Sequence, residues 1–297
     1  MRDLESIIHV CSSVERTEQD LFLSGEGQGL RVDEIGGAVL FSCSHIPVGM
    51  LNYATGVSAR SADLDELLDK IEDFYTGLNV PPRIAITPLS RPRDLPSRLL
   101  RRGYKESSIS DVMIVDSEVT RRETRSDVKV RVVQRGQVEA FSSIFNRAFK
   151  IPTNLREAFA RFWRSAVFDP DPKLRIYLAT IGGKPAGVGL IFIGRQAAGL
   201  YSVATKPECQ GKGVATNLTS QAVQDALASK AKFVYLYSSR SSGTSAKYRS
   251  LAFTSRYVRA VYSLCPSVSL TSNGSANFIA DHFRIDRLRK ARVRSDA

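Results

Sequence analysis

Apolar residues recur along this chain at two periods, and the switches between them outline its elements. Residues 1 to about 23 read as a helix of mixed polarity. Ala38–Cys43 and Val48–Tyr53 are short apolar, β-prone runs. From Leu64 to Tyr75 the spacing changes: Leu64, Leu67, Leu68, Ile71 and Phe74 share one helical face, which predicts an amphipathic helix. Arg83–Thr87 reads as a buried strand, Leu95–Arg102 as a helix ended by Gly103, and Ser110–Val115 as a strand. Residues 116–128 then turn polar and heavily charged, as a linker between domains does.

The second half repeats the two periods. A strand at Lys129–Val133 is followed by helices near 137–149 and 155–167. Leu174–Thr180 and Ala186–Ile193 are strands joined through Gly182-Gly183-Lys184-Pro185, a hairpin turn. Gly199–Thr205 is a strand, Val214 to about Ser229 a helix, Phe233–Ser238 a strand, Ser245–Leu251 a helix and Ser255–Ser263 a strand. The halves also echo each other. Ile84-Ala85-Ile86-Thr87, a helix, Gly103-Tyr104 and a strand match Val234-Tyr235-Leu236-Tyr237, a helix, Ala252-Phe253 and a strand, at nearly the same spacing. One fold in tandem is the reading this repetition favours.

Composition narrows the class. A length of 297 residues with 43% hydrophobic content supports two packed domains. No apolar run approaches the roughly 20 residues of a membrane span. The start, Met1-Arg2-Asp3-Leu4-Glu5, lacks the layout of a secretory signal, so a soluble, cytoplasmic protein without a membrane partner is expected. Cys11, Cys43, Cys209 and Cys265 form no Cys-x-x-Cys pair, and His9, His45 and His282 show no ligand spacing. No metal is therefore expected. The net charge of +12 attracts anions. Arginine clusters at Arg91–Lys105, at Arg121, Arg122 and Arg125, and from Arg284 to Arg294 read as solvated surface ahead of a nucleic-acid or ribosome contact.

The chemistry-bearing stretch is Gln210-Gly211-Lys212-Gly213-Val214-Ala215, set between a strand and a helix. Unpaired N–H groups at a helix start favour an anion, and glycines let the backbone approach it. The first half has Val57-Ser58-Ala59-Arg60-Ser61-Ala62-Asp63 at the matching place, without Gly-x-Gly and with an acid.

Gln210, Gly213 and Ala215 resemble the Gln/Arg-x-x-Gly-x-Gly/Ala loop of the GNAT superfamily of N-acetyltransferases. Tyr248-Arg249-Ser250-Leu251-Ala252-Phe253 resembles that family's Tyr-x-x-Leu-Gly-Phe signature, with Ala252 in place of the usual glycine. The resemblance covers about 128–264 and implies an α/β (α+β) protein of two tandem acetyltransferase-fold domains. Each would be a mixed, mostly antiparallel sheet flanked by helices. The expected division is a degenerate copy at 1–115, a linker at 116–128, a catalytic copy at 129–264 and a basic tail at 265–297.

Acetyl-CoA is the implied co-substrate. Its pyrophosphate would lie on Gln210, Gly211, Lys212, Gly213, Val214 and Ala215, and its pantetheine arm and thioester along the backbone of Val203, Ala204 and Thr205. Tyr248 is the implied acid for the leaving thiolate, and an amine attacking directly in a ternary complex is the implied acceptor. The family's usual glutamate on the strand before the loop is missing from Leu200-Tyr201-Ser202-Val203. A water held by Tyr201, Ser202 or Ser238, a substrate amine already neutral, or a carboxylate such as Glu208 are the alternatives. Phe145, Phe149, Phe162 and Trp163 are candidates for the acceptor pocket. The identity of the amine and the oligomeric state stay open, as do two rival readings: a CoA-binding scaffold without catalysis, and a nucleic-acid- or ribosome-associated module.

Overall fold

A computed structural model describes residues 2–116 and 125–264. The basic tail, Cys265, His282, Arg121 and Arg122 lie outside them. Among the described residues eleven strands form one sheet: β1 (Leu30–Ile35), β2 (Ala38–Cys43), β3 (Tyr53–Thr55), β4 (Arg83–Ile86), β5 (Tyr104–Asp116), β6 (Val128–Val132), β7 (Leu174–Ile181), β8 (Lys184–Ile193), β9 (Ala197–Thr205), β10 (Phe233–Ser239) and β11 (Thr254–Leu264). Their spatial order is β1-β2-β3-β4-β11-β5-β10-β9-β8-β7-β6. Only β3–β4 and β9–β10 are parallel. The expected mixed, mostly antiparallel sheet is what forms.

The order contains an exchange. The last strand of the first half, β5, pairs with β10 from Phe233↔Asp116 to Ser239↔Ser110. The last strand of the second half, β11, lies between β5 and β4, pairing Leu264 with Tyr104 and Val261 with Ala85. Each half thus receives the other's closing strand.

Helices cover both faces. On one lie α1 (Arg2–Ser24), α4 (Val138–Ala148) and α5 (Arg156–Phe168); on the other lie α2 (Leu64–Gly77), α3 (Leu95–Arg101), α6 (Val214–Ala228) and α7 (Ser245–Ser250). Of the stripe expected on α2, Leu64, Leu67, Leu68 and Ile71 are buried against Leu40, Ala54 and Ile84, while Phe74 is half-buried and Tyr75 is the buried aromatic. Each such aliphatic side chain stabilises the fold by about 1.5–3 kcal/mol. On the opposite face α1 sets Val10, Cys11 and Val14 against Val112, Ile114, Phe233 and Tyr235. This N-terminal helix therefore packs largely on strands of the sheet's exchanged centre and of the second half.

Three elements differ from expectation. β1 was not anticipated, because only Leu30 in it is buried and its alternation is faint. The strand expected at Val48–Tyr53 begins only at Tyr53; the residues before it form turns held by Asn52. Its side chain accepts from Cys43 N–H (2.9 Å) and donates to the carbonyls of Ile46 (3.0 Å) and Val48 (2.9 Å). β5 starts six residues before the expected Ser110, because its polar stretch Lys105–Ser108 is satisfied by pairing with β11.

The first arginine cluster is largely committed within the fold. Arg98 pairs with Asp94 (3.0 Å) and Asp65 (3.6 Å), and Arg102 with Glu72 (3.0 Å) and Asp69. Arg91 donates to the carbonyls of Pro88 (2.9 Å) and Ser90 (2.8 Å). Among the described residues no helix is long and apolar enough to cross a membrane.

The exchange predicts one cooperative unit. Residues 125–264 alone would lack β5, leaving long unpaired edges on β10 and β11. That fragment is expected to aggregate and to become soluble when co-expressed with residues 1–124. A folded, monomeric fragment by chromatography and circular dichroism would refute the expectation.

Candidate active site

Both parallel strand pairs separate soon after they meet. β9 and β10 share only Ala197↔Phe233, Ala198↔Val234 and Gly199↔Tyr235. Past that point Ser202 adopts a left-handed backbone, φ +55°, and the β8–β9 register shifts between Val188 and Leu190. The bulge turns Val203 towards the α6 face and Ala204 towards the α4 face. Burial changes at the same place: Ala197–Leu200 are buried, whereas Tyr201–Lys206 are half-buried. The β10-facing edge of β9 is therefore open from about Tyr201 onward. Thr205 Oγ1 is buried there without a hydrogen-bond partner.

The first half separates in the same way, with one pair, Ala54↔Ile84. Its gap is bridged by the chain itself. Arg91 N–H donates to Val57 O (2.8 Å), and Ala59 N–H donates to Arg91 O (3.4 Å).

At the end of β9, Pro207–Cys209 make a 3-10 turn and Gln210–Gly213 lead into α6. Gly211 (φ +76°) and Gly213 (φ +77°) adopt a backbone that side-chain-bearing residues rarely take. No side chain caps α6 at Gly213, and the N–H groups of its first turn have no intrahelical acceptor. Gln210, Gly211 and Lys212 are exposed, Ala215 is half-buried, and Val214 is buried among Leu218 and Ala222. Of Val214, then, only the backbone is available to a ligand.

The two glycines differ in their surroundings. A β-carbon on Gly211 would meet nothing within 4 Å. One on Gly213 would fall 2.7 Å from Cδ of Arg125. Gly213 makes room for that arginine as well as for its own turn.

Tyr248 sits on α7, over the α6 face. Its ring lies edge-on to Phe253 at 5.8 Å. Its hydroxyl makes no hydrogen bond among the described residues, and burial pushes its phenol above the ordinary tyrosine value. Strand β5 steadies this helix. Asp111 pairs with Arg240 (2.8 Å) just before α7 and accepts from Ser245 Oγ (3.4 Å).

The face under α1 holds a polar group that the sequence reading missed. Glu18 is 5% exposed. It accepts a hydrogen bond from Tyr237 Oη at 2.8 Å, and the Tyr53 phenol lies close by. Burial pushes its carboxyl up; the nearby Arg259 and the two phenols pull it back only in part. Arg259 lies between the rings of Tyr53 and Tyr237, 4.8 Å from each, the geometry of a cation–π contact. Tyr237 and Tyr201 are each two residues beyond the last paired residues of β10 and β9, so they flank the opening on one face. Tyr201 folds back over Gly199, where a β-carbon would fall 2.3 Å from its hydroxyl, and hydrogen-bonds Tyr235. The signal for Glu18 was an acid at i+4 of Val14 and i−4 of Phe22, on the apolar stripe of a helix.

The other suggestions from sequence fare differently. Glu208 is exposed. The Ser238 hydroxyl is engaged with those of Thr244 (3.0 Å) and Ser245 (2.9 Å). Phe145 and Trp163 are core residues with rings 5.0 Å apart, and Phe149 and Phe162 pack on them. Cys11 and Cys43 are buried, and burial pushes the Cys11 thiol up to about 11. Among the described residues no cluster of three His, Cys, Asp or Glu could hold a metal ion.

Comparison with known proteins agrees with this geometry. The family model described as "Acetyltransferase (GNAT) family" matches residues 138–248. No curated protein sequence matches the chain. Among solved structures, the fold is similar to a GCN5-related N-acetyltransferase from Kribbella flavida, at TM-score 0.67 and 18% identity, covering 87% of this chain and 97% of that one. It is also similar to a GCN5-related N-acetyltransferase from Sphaerobacter thermophilus, at TM-score 0.58 and 15% identity, covering 81% and 85%. A tandem GNAT protein from the clavulanic acid biosynthesis pathway has TM-score 0.53 and 12% identity, again covering 81% and 85%. At these identities the likenesses speak for the fold, and the family model speaks for the segment that holds the open cleft. Residues 138–248 thus carry the match to the acetyltransferase (GNAT) family.

Proposed function

We propose that the protein is an acetyl-CoA-dependent N-acyltransferase with one active cleft, in its second half. The observation that carries this reading is the open β9–β10 wedge leading straight into the uncapped start of α6, inside the matched segment. The residues present suit the co-substrate. The first-turn N–H groups of α6, the open backbone at Gly211 and the Lys212 cation suit a pyrophosphate. The free edge of Val203–Thr205 suits an amide-bearing arm. In the first half the bridge from Val57 and Ala59 to Arg91 fills the corresponding gap, so that copy serves as scaffold.

Acyl transfer to an amine needs a proton removed on one side and delivered on the other. Tyr248, on the α6 face, is the donor to the departing sulfur; its raised pKa keeps the proton available at neutral pH. On the α1 face, Tyr237 is placed to take a proton from the amine while passing its own to Glu18. The carboxylate absent from β9 is thereby supplied by α1. The two groups lie on opposite faces of the wedge, so neither need exchange a proton with the other.

Calorimetry should show saturable acetyl-CoA binding by the native protein and none by Gly213→Trp, in which the indole crowds both the left-handed turn and Arg125. Unchanged affinity in that variant would remove the loop from the cofactor site.

The proton assignments are read by thiol release from acetyl-CoA across a panel of amines. Tyr248→Phe should lower kcat by about a hundredfold with cofactor affinity intact. Tyr248 acts as its neutral phenol, so activity should fall on the alkaline side only past a pH above 10. Glu18 acts as its carboxylate, so kcat/KM should fall as pH drops through a value above the usual 4.5. Glu18→Gln should abolish that acid limb; an unchanged profile would exclude the Tyr237–Glu18 pair.

A further inference from the structure

The segment joining the two halves returns to the described structure at Arg125, beside the start of α6. Asn217, one turn into that helix and 4% exposed, holds it there. Asn217 Oδ1 accepts from Arg125 N–H (3.2 Å), and Nδ2 donates to the carbonyls of Arg125 (2.9 Å) and Val128 (3.1 Å). A buried amide with its carbonyl and amino groups both used fixes a backbone position. The position it fixes lays the Arg125 side chain on Gly213, with Cδ in the space a β-carbon would need. The guanidinium, two bonds farther out, is exposed and forms a fork with Asp127: Nε to Oδ1 at 3.0 Å and Nη2 to Oδ2 at 3.1 Å. Asp127 belongs to the same segment, so the pair is local and labile in water.

We infer that Arg125 is a pyrophosphate-binding residue contributed by the connection between the halves, and that Asp127 is its resting partner. This rests on the cofactor reading above. A guanidinium matches a diphosphate oxygen pair as well as it matches a carboxylate. The ligand brings a higher negative charge to a helix start that already favours anions, so a swing of the planar guanidinium about the Cγ–Cδ and Cδ–Nε bonds, away from Asp127, is favoured once the ligand is seated. The arrangement gives the linker a second task besides spanning the halves: its arginine closes the Gly213 side of a cradle that is open at Gly211. Asp127 competes with the ligand, which sets opposite signs for the two residues.

The test is calorimetric titration of the full-length chain with CoA and with 3′-dephospho-CoA at low and high salt, with circular dichroism to check the fold of each variant. Arg125→Ala should weaken CoA binding about fivefold, and Arg125→Lys should recover part of the loss. Asp127→Asn should tighten binding about twofold, a gain that a merely structural role for the pair would not produce. Both effects should shrink at high salt and persist with 3′-dephospho-CoA. Equal affinity of the native protein and Arg125→Ala, weaker binding by Asp127→Asn, or a loss confined to the 3′-phosphorylated ligand would each overturn the assignment. Failure of the native protein to bind CoA at all would instead overturn the cofactor reading beneath it.

Discussion

The structure depends on the exchange of closing strands at the centre of the sheet. β11 could lie beside its own half's β10, and β5 beside its own half's β4. Instead each sits one place over, so that β5 joins β10 and β11 joins β4. Their mutual ladder, from Thr254↔Ile114 to Leu264↔Tyr104, becomes the spine of the molecule. The remaining layers follow from it. α1 lies over the exchanged centre because Val112 and Ile114 of β5, beside Tyr235 of β10, give it one apolar platform. α7 takes its position from Asp111, again a β5 residue.

The exchange also explains how a copy without an open cleft still matters to the cleft of the other. Two of its residues reach the second half, Glu18 from α1 and Asp111 from β5, and the connection adds Arg125. The bridge between Val57 and Arg91 rigidifies the first half by satisfying backbone groups that the second half leaves free. One gap is closed by peptide; the other stays unpaired among the described residues.

The parts of the fold that could be read from sequence were those where burial is one-sided and regular. The stripe of α2, the hairpin at Gly182-Gly183 and the β9–α6 turn all carry a periodic or conformational signature in their own residues. β1 and the polar start of β5 do not, since Lys105–Ser108 reads as loop until β11, far along the chain, arrives to pair with it. The site divides the same way. The Gln210–Ala215 loop and Tyr248 stand within short local patterns. Glu18, Arg259 and Tyr237 meet only through tertiary packing, from three elements distant in sequence. The left-handed Ser202 was equally hidden, because nothing in Tyr201-Ser202-Val203 distinguishes a bulge from a straight strand. The single clue passed over was a glutamate on an apolar helical stripe, which a mixed-polarity helix disguises.

The wedge between β9 and β10 has a consequence for solubility and selectivity alike. An unpaired strand edge is a standing invitation to other chains, and proteins ordinarily blunt such edges at the rim of a sheet. Here the edge lies in the interior of an eleven-stranded sheet, walled on its far side by β10 and at its end by the turn into α6. A recess that narrows to the spacing of a paired strand, about 4.8 Å, cannot take in a hairpin or a neighbouring sheet. It can take in a single thin, extended molecule that brings its own amides. The same taper that protects the chain from self-association thus acts as a shape filter, in place before any side chain makes a contact.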